Sequence, residues 1–265
     1  MDAGASAAAR RIVSLVPSTT ETLFALGLGD RVVGVSTYCD YPPEVARLPR
    51  VGAMLNPSLE AIVALRPDAL VGVEGPVNLA VLERLRARGV RTVFPRTESV
   101  PEVLDALDVF AGLAGEPGRA GPLRARIETQ LARVETVVRG RARPRVLMVF
   151  SVRPLVVAGR GSWTDAVLTR AGGVNVATGD ARYPTVSVEQ VLAWAPEVVL
   201  DLSTMSTEAP PDGSLVAALT AHGTVPAVTA GRVHALTDPR YVRPGPRVGE
   251  AAEGIARVLH PDAGW

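Results

Sequence analysis

The chain has four tyrosines, Tyr38, Tyr41, Tyr183 and Tyr241. All four lie in loop-like stretches beside proline or an acid. A phenol offers a flat apolar face and one hydroxyl, which suits gripping a large flat or globular ligand. Tyr38 and Tyr41 share the stretch Ser36 to Pro43 (STYCDYPP), and Tyr183 sits in ARYPTVSVEQ. Tyr241 follows Asp238 and precedes Arg243 and Arg247 in RYVRPGPR. Arginine supplies planar donors for acidic oxygens or amides. A packing role stands beside each of these readings. Prolines next to Tyr41 and Tyr183 can anchor them to a core, and Arg243 and Arg247 suit a solvated loop. Trp163 and Trp194 fall in helical stretches and read as core.

Other chemistry finds little support. The single cysteine, Cys39, excludes an internal disulfide and a cysteine cluster for metal. No histidine lies near it in sequence, and Ser36 and Ser162 lack a nucleophile-elbow setting. His222, His234 and His260 are dispersed and late, so no metal site is assigned. Gly159-Arg160-Gly161-Ser162 lacks the Gly-Lys-Ser/Thr ending of a phosphate loop. No catalytic residue emerges. The net charge of +1 gives no grip on nucleic acid. The basic run Arg139 to Arg145 reads as a solvated helix end. No stretch approaches the roughly 20 apolar residues of a membrane span. The start, MDAGASAAARR, shows no basic and then apolar leader pattern. Two locations stay open: the cytoplasm, or the periplasm or cell surface after removal of a signal or lipid anchor.

The elements that must position these residues alternate between strand and helix. RIVSLV, RVVGV, ALVGV and Val90 to Phe94 read as strands in the first half, and RVLMVF, Val198 to Leu202 and Arg232 to Leu236 in the second. Ser18 or Thr19 is the expected cap of the first helix. Alternation of this kind implies βαβ units and mainly parallel sheets. Between the halves, Leu123, Ile127, Leu131, Val134 and Val138 mark one face of a helix over Pro122 to Arg139, about 27 Å long. Gly121 and Pro122 are its expected start and Gly140 its stop.

One pattern occurs once in each half. SLEAIVALRPDALV (58–71) matches SVEQVLAWAPEVVL (187–200) in its Ser-x-Glu start and its Pro-acid entry to a strand. With RIVSLVPSTTETLFALG, VVGVSTYCDYPPE and RVLMVFS, these segments resemble the substrate-binding proteins of ABC importers for vitamin B12 and iron-siderophores. That is the periplasmic-binding-protein class with a helical backbone, and the member type most resembled binds cobalamin. The resemblance covers about Arg11 to Leu259.

It implies an α/β fold of two Rossmann-like lobes joined by one long backbone helix (class III). The lobes would span 1–117 and 144–265, with the helix segment over 118–143 and the ligand in the cleft. It implies a non-enzymatic monomer with no intrinsic cofactor, binding a corrinoid (cobalamin or cobinamide) or related metal chelate. Iron-siderophore or heme binding, a cytoplasmic corrinoid carrier or sensor, and an α/β enzyme on the same scaffold are the alternatives. In such relatives aromatic residues line the cleft. Tyr38 falls on one of those positions, Tyr183 falls where a tryptophan is expected, and Met54 and Val73 replace two more aromatics. Asp238, Tyr241, Arg243 and Arg247 fall in the late loop that carries polar cleft residues. Glu60 and Glu189 match the pair, one per lobe, that meets arginines on the two permease subunits. Acids are also favoured in the first turn of any helix.

Overall fold

The structure, a computed structural model, describes residues 8–73, 79–203, 214–220 and 224–265. It divides into two units, Met1–Thr97 with Pro101–Arg126, and Glu98–Val100 with Ile127–Trp265. In chain order the first half gives β1 (Ile12–Ser14), α1 (Pro17–Ala25), β2 (Val32–Val35), α2 (Leu59–Ala64), β3 (Ala69–Val71), α3 (Leu79–Arg86), β4 (Arg91–Val93) and α4 (Val100–Leu113). The four strands are parallel in the order β2-β1-β3-β4. β1 and β3 are buried throughout, as expected of strands covered on both faces. Val13 of β1 and Leu70 of β3 pack with Ile62, Leu82 and Leu85 from the helices. The connections from β1 and β3 leave in opposite directions. Open α/β sheets hold ligands beyond the strand carboxyl ends at such a switch point.

α1 corrects one expectation. It is entered from Val16, with Pro17 as its first residue and no side-chain cap. Ser18 and Thr19 therefore lie inside the helix. Proline at the first helical position leaves no amide hydrogen unpaired there, and its fixed φ is ready for the first turn. The central helix, α5 (Ala120–Val138), also starts two residues before Pro122. A 3-10 turn over Pro117–Arg119 leads directly into it, and Pro122 in the first turn removes no helical hydrogen bond. Leu123, Ile127, Leu131 and Val134 are buried as the spacing predicts. Gly140, with φ at +74°, stops the helix. The division between the units falls within α5.

The second half gives β5 (Arg145–Val152), β6 (Leu155–Val157), α6 (Trp163–Arg170), β7 (Val174–Asn175), α7 (Val188–Trp194), β8 (Val198–Asp201), α8 (Ser214–Thr220), α9 (Pro226–Thr229), β9 (Val233–Ala235) and α10 (Val248–Leu259). The sheet order is β6-β5-β8-β9, with β7 also paired to β5. β6 runs antiparallel and the other pairs are parallel. Leu147, Val149, Val157, Val191, Val199 and Leu219 form much of this core. Apart from Ser203, the polar stretch to Gly213 lies outside the described residues, as does His222.

The sequence repeat is a structural device in both units. Ser58 and Ser187 cap α2 and α7 by accepting from the amides of Ala61 and Gln190. Both helices end in a left-handed residue, Arg66 (φ +47°) and Ala195 (φ +43°), immediately before the proline. The acid after each proline then grips the unit's first strand. Asp68 accepts from the amides of Arg10 and Arg11 at 2.8 and 3.1 Å. Glu197 accepts from the amide of Arg145 at 2.8 Å. In return Arg11 donates to the Leu65 carbonyl at 2.7 Å, and Arg145 to the Trp194 carbonyl at 2.6 Å. Each Pro-acid pair thus ties a helix end to the strand that starts the sheet.

Candidate functional site

In the first unit the exposed aromatic chemistry gathers where the strands end. Tyr38 lies three residues beyond β2 and is 57% exposed, while Tyr41 is 44% exposed. The backbone that carries them is anchored through Cys39. Cys39 is buried, and its Sγ lies 3.1 Å from Thr20 Oγ1 and 3.2 Å from Ser36 Oγ. The cysteine is therefore an anchor of the loop, seated among hydroxyls. Val73, two residues past β3, is half-buried. Phe94, just past β4, stands over Gly72, where a Cβ would come within 2.7 Å of the ring. Met54 is half-buried and packs against the unit's core. Phe94 escapes sequence reasoning because it reads as the last residue of an apolar strand.

In the second unit Tyr183 is 46% exposed and meets Phe150 edge to face, with ring centroids 5.3 Å apart and planes at 88°. That is a favoured aromatic geometry. Phe150, inside β5, is a second aromatic that reads in sequence as part of a buried strand. The Tyr183 segment is laid along the chain after β6. The amide of Val157 donates to the Pro184 carbonyl at 3.1 Å, and that of Gly159 to the Arg182 carbonyl at 2.8 Å. A Cβ on Gly159 would lie within 3.0 Å of the Ala181 carbonyl oxygen. The glycine-rich turn thus admits a crossing backbone. Burial pushes the Tyr183 phenol above its usual pKa, and the Glu98 carboxylate adds to this against Arg182 and the Trp163 amide. Arg182 itself pairs with Glu98 at 2.9 Å.

The late loop is an ion network. Asp238 accepts from the Arg240 amide at 2.8 Å, from the Arg240 guanidinium, and from Arg247 Nη1 at 3.2 Å. Arg240 also reaches Glu250 at 3.1 Å. Asp238 and Arg247 are thus brought together, and Arg240 joins them unforeseen. Arg243 is half-buried beyond the 3-10 turn over Pro239–Tyr241. The ring of Tyr241 lies on α10, where a Cβ at Gly254 would come within 3.0 Å of its hydroxyl.

The hydrogen bond from the Arg240 side chain, with further help from the Arg240 amide and the Arg240 and Arg247 charges, lowers the Asp238 pKa from 3.8 to about 2 against the effect of burial. A carboxyl lowered on folding stabilises above its unfolded pKa and loses that contribution as pH falls through the folded one. The window here is about pH 4 down to 2. The unscreened effect is about 2.4 kcal/mol, and solvent around this part-exposed group reduces it to about 1 kcal/mol. Asp238→Asn is expected to cost about that much at pH 7 and to flatten the acid-side decline. Urea titrations at pH 7 and pH 3 check this; equal losses at both would contradict it.

Glu60 and Glu189 are exposed second residues of α2 and α7, and the caps of those helices are the serines. A concavity of about 710 Å³ opens at the amino ends of β5, β8 and β9, lined by Arg141, Arg143, Arg232 and His260 among others. Two of its arginines, Arg141 and Arg232, serve helix ends. Arg141 donates to the Val137 carbonyl, Arg143 to that of Gly173 and Arg232 to that of Leu259. Cations at helix C-termini are favoured by the helix dipole. Among the described residues no cluster of three or more His, Cys, Asp or Glu could hold a metal ion. No helix among them is long and apolar enough to cross a membrane.

Two mainly parallel α/β sheets with aromatic loops at their strand ends recur in known proteins. A family model described as periplasmic binding protein matches residues 12–239. The vitamin B12-binding protein of Salmonella paratyphi A is 34% identical over 194 residues, 73% of this chain and 72% of that protein. The crystal structure of the periplasmic vitamin B12-binding protein BtuF of Vibrio cholerae superposes with a TM-score of 0.81 at 30% identity, covering 96% of this chain and 97% of that one. The periplasmic heme-binding protein RhuT of Roseiflexus sp. RS-1, in apo form, gives a TM-score of 0.84 at 31% identity, covering 95% and 98%. Matched over most of its length, with the helix-Pro-strand unit folded alike in both halves, the chain belongs to the periplasmic binding protein family.

Proposed function

We propose that this protein is the substrate-binding component of an ABC importer and holds a corrinoid, cobalamin or cobinamide, or a related metal chelate. It works without catalysis, in the periplasm or at the cell surface, and hands its ligand to the permease. The observation that carries this reading is the pair of tyrosines, Tyr38 and Tyr183, each presented half-exposed on a loop fixed through its backbone. Rigid loops presenting aromatic faces lose little entropy on binding. The vitamin B12-binding relatives supply the ligand class. Exposed Glu60 and Glu189 are the residues that face the permease.

The likeness to a heme-binding protein supplies a second reading. Heme iron can be held by a tyrosine phenolate. The raised pKa of Tyr183 favours its neutral phenol, which suits stacking and hydrogen bonding better than iron ligation.

Calorimetric titration with cyanocobalamin, dicyanocobinamide and hemin tests both. At least one is expected to bind more tightly than about 100 μM, roughly 5.5 kcal/mol. Failure of all three, with ferric siderophores also inert, would sink the importer reading. Tyr38→Ala and Tyr183→Ala are each expected to weaken binding by about 1–3 kcal/mol, as loss of a buried aromatic contact does. Unchanged affinity in both folded variants would place the ligand elsewhere.

A further inference from the structure

We propose that Arg50 is a positioning residue for Tyr38, setting the angle at which that ring meets the ligand. The inference rests on the binding role given to Tyr38 above. More than half of Tyr38 is exposed, so the direction of its ring follows the turn that carries it. One nitrogen of Arg50, Nη1, donates to the Ser36 carbonyl at 3.1 Å and to the Cys39 carbonyl at 2.5 Å. These carbonyls flank Tyr38 on either side, and a charged donor shared between them is a strong clamp. The turn closes on itself through the Cys39 amide, which donates to Ser36 O at 3.2 Å. The Thr37 amide donates to the Gly52 carbonyl at 3.0 Å.

Arg50 is itself delivered by the sheet. It bridges to Val35, the last residue of β2. The Val35 amide donates to Pro49 O and the Val51 amide to Val35 O, each at 3.0 Å. The guanidinium therefore carries the rigidity of the sheet edge into the Tyr38 turn. Lysine would bring a freely rotating ammonium on a flexible stem in place of a nitrogen whose two N–H bonds are fixed in the guanidinium plane, and would hold the two carbonyls less well.

The test compares the parent with Arg50→Ala, Arg50→Lys, Tyr38→Ala and the double variant Tyr38→Ala/Arg50→Ala. Dicyanocobinamide affinity is read by calorimetry, and amide hydrogen exchange over residues 36–40 is read without ligand. Arg50→Ala is expected to weaken binding about fivefold to tenfold when Tyr38 is present, and less than about twofold in the Tyr38→Ala background, since coupled residues are not additive. Arg50→Lys is expected to fall between Arg50→Ala and the parent. Exchange at 36–40 should quicken in Arg50→Ala, while the rest of the first unit keeps its protection.

Equal weakening with and without Tyr38 would overturn the proposal, because Arg50 would then touch ligand or act through general stability. Unchanged exchange at 36–40 overturns it with no ligand involved, as does parental affinity in Arg50→Ala while Tyr38→Ala is impaired. Parental affinity in Tyr38→Ala is a different failure: it removes the binding role of that tyrosine and the inference with it. If Arg50→Ala does not fold, Arg50→Lys carries the same comparisons.

Discussion

Gly159→Ala is expected to lower stability by about 1–3 kcal/mol, the range for forcing extra volume into a packed place, and to weaken ligand binding as well. One methyl group does both because of what it meets. Backbone, rather than the end of a flexible side chain, faces the new Cβ: the Ala181 carbonyl oxygen and carbon, with the Pro184 ring 3.1 Å away. The 181–184 segment has to retreat, lengthening the bonds from the amides of Val157 and Gly159 to the Pro184 and Arg182 carbonyls. Tyr183 lies between those two acceptors, so its ring leaves the edge-to-face position on Phe150. Gly112 supplies the contrast. It lies in α4, a Cβ there would meet nothing within 4 Å, and its φ is outside the left-handed range. Gly112→Ala should raise helix stability by about 0.5–1 kcal/mol and leave binding alone. Thermal melts and calorimetry on both variants check the pair. A Gly159→Ala protein that melts and binds like the parent would show that the crossing segment yields without cost.

The same glycine shows where the sequence stops being readable. The buried face of α5 and the strand β1 follow from apolar patterning alone, because each is decided by neighbours a few residues away. β7, two residues long, and α9, four residues long, are too short for any period to register. The role of Gly159 depends on a segment more than twenty residues later, and no local rule carries it. Cys39 is similar. In sequence it sits between a tyrosine and an aspartate, like a thiol on display, yet it is buried among Ser36 and Thr20.

The candidate site is legible in its residue types and less so in its geometry. Tyrosines beside prolines announce loops, and loops they are. That Phe150 stands edge-on to Tyr183 depends on the 181–184 segment crossing beside the second sheet, and Phe94 over Gly72 on two strand ends coming side by side, which a linear pattern cannot show. Asp238 and Arg247, nine residues apart, stand out singly in sequence, and nothing local marks Arg240 as the residue that ties them. Its neighbour Tyr241 is the more conspicuous residue, and that ring lies on Gly254. The repeat goes the other way: its Pro-acid pair is a tie between helix and strand, leaving its glutamates to account for.

Replacing both glutamates, Glu60→Ala with Glu189→Ala, is expected to cut transport through the cognate permease at least about tenfold while ligand affinity and melting temperature stay near the parent. A tenfold loss corresponds to about 1.4 kcal/mol, well within what truncating charged contacts at an interface costs. Each glutamate is exposed, second in its helix, and equivalent in a unit used twice. Two like charges repeated in this way suit a partner built from two like subunits. The competing explanation is that they stabilise the helix starts, where an acid contributes about 0.3–1 kcal/mol. The caps, however, belong to others. Ser58 accepts from the Ala61 amide, and Ser187 with Gln190 forms a reciprocal capping box. Ser58→Ala with Ser187→Ala should therefore lower stability by about 0.5–2 kcal/mol per helix and leave transport by the folded protein intact. The two double variants are expected to fail in opposite assays. Transport at the parental rate by the glutamate variant would remove the docking role, and a melting loss larger than that of the serine variant would return the glutamates to the helices.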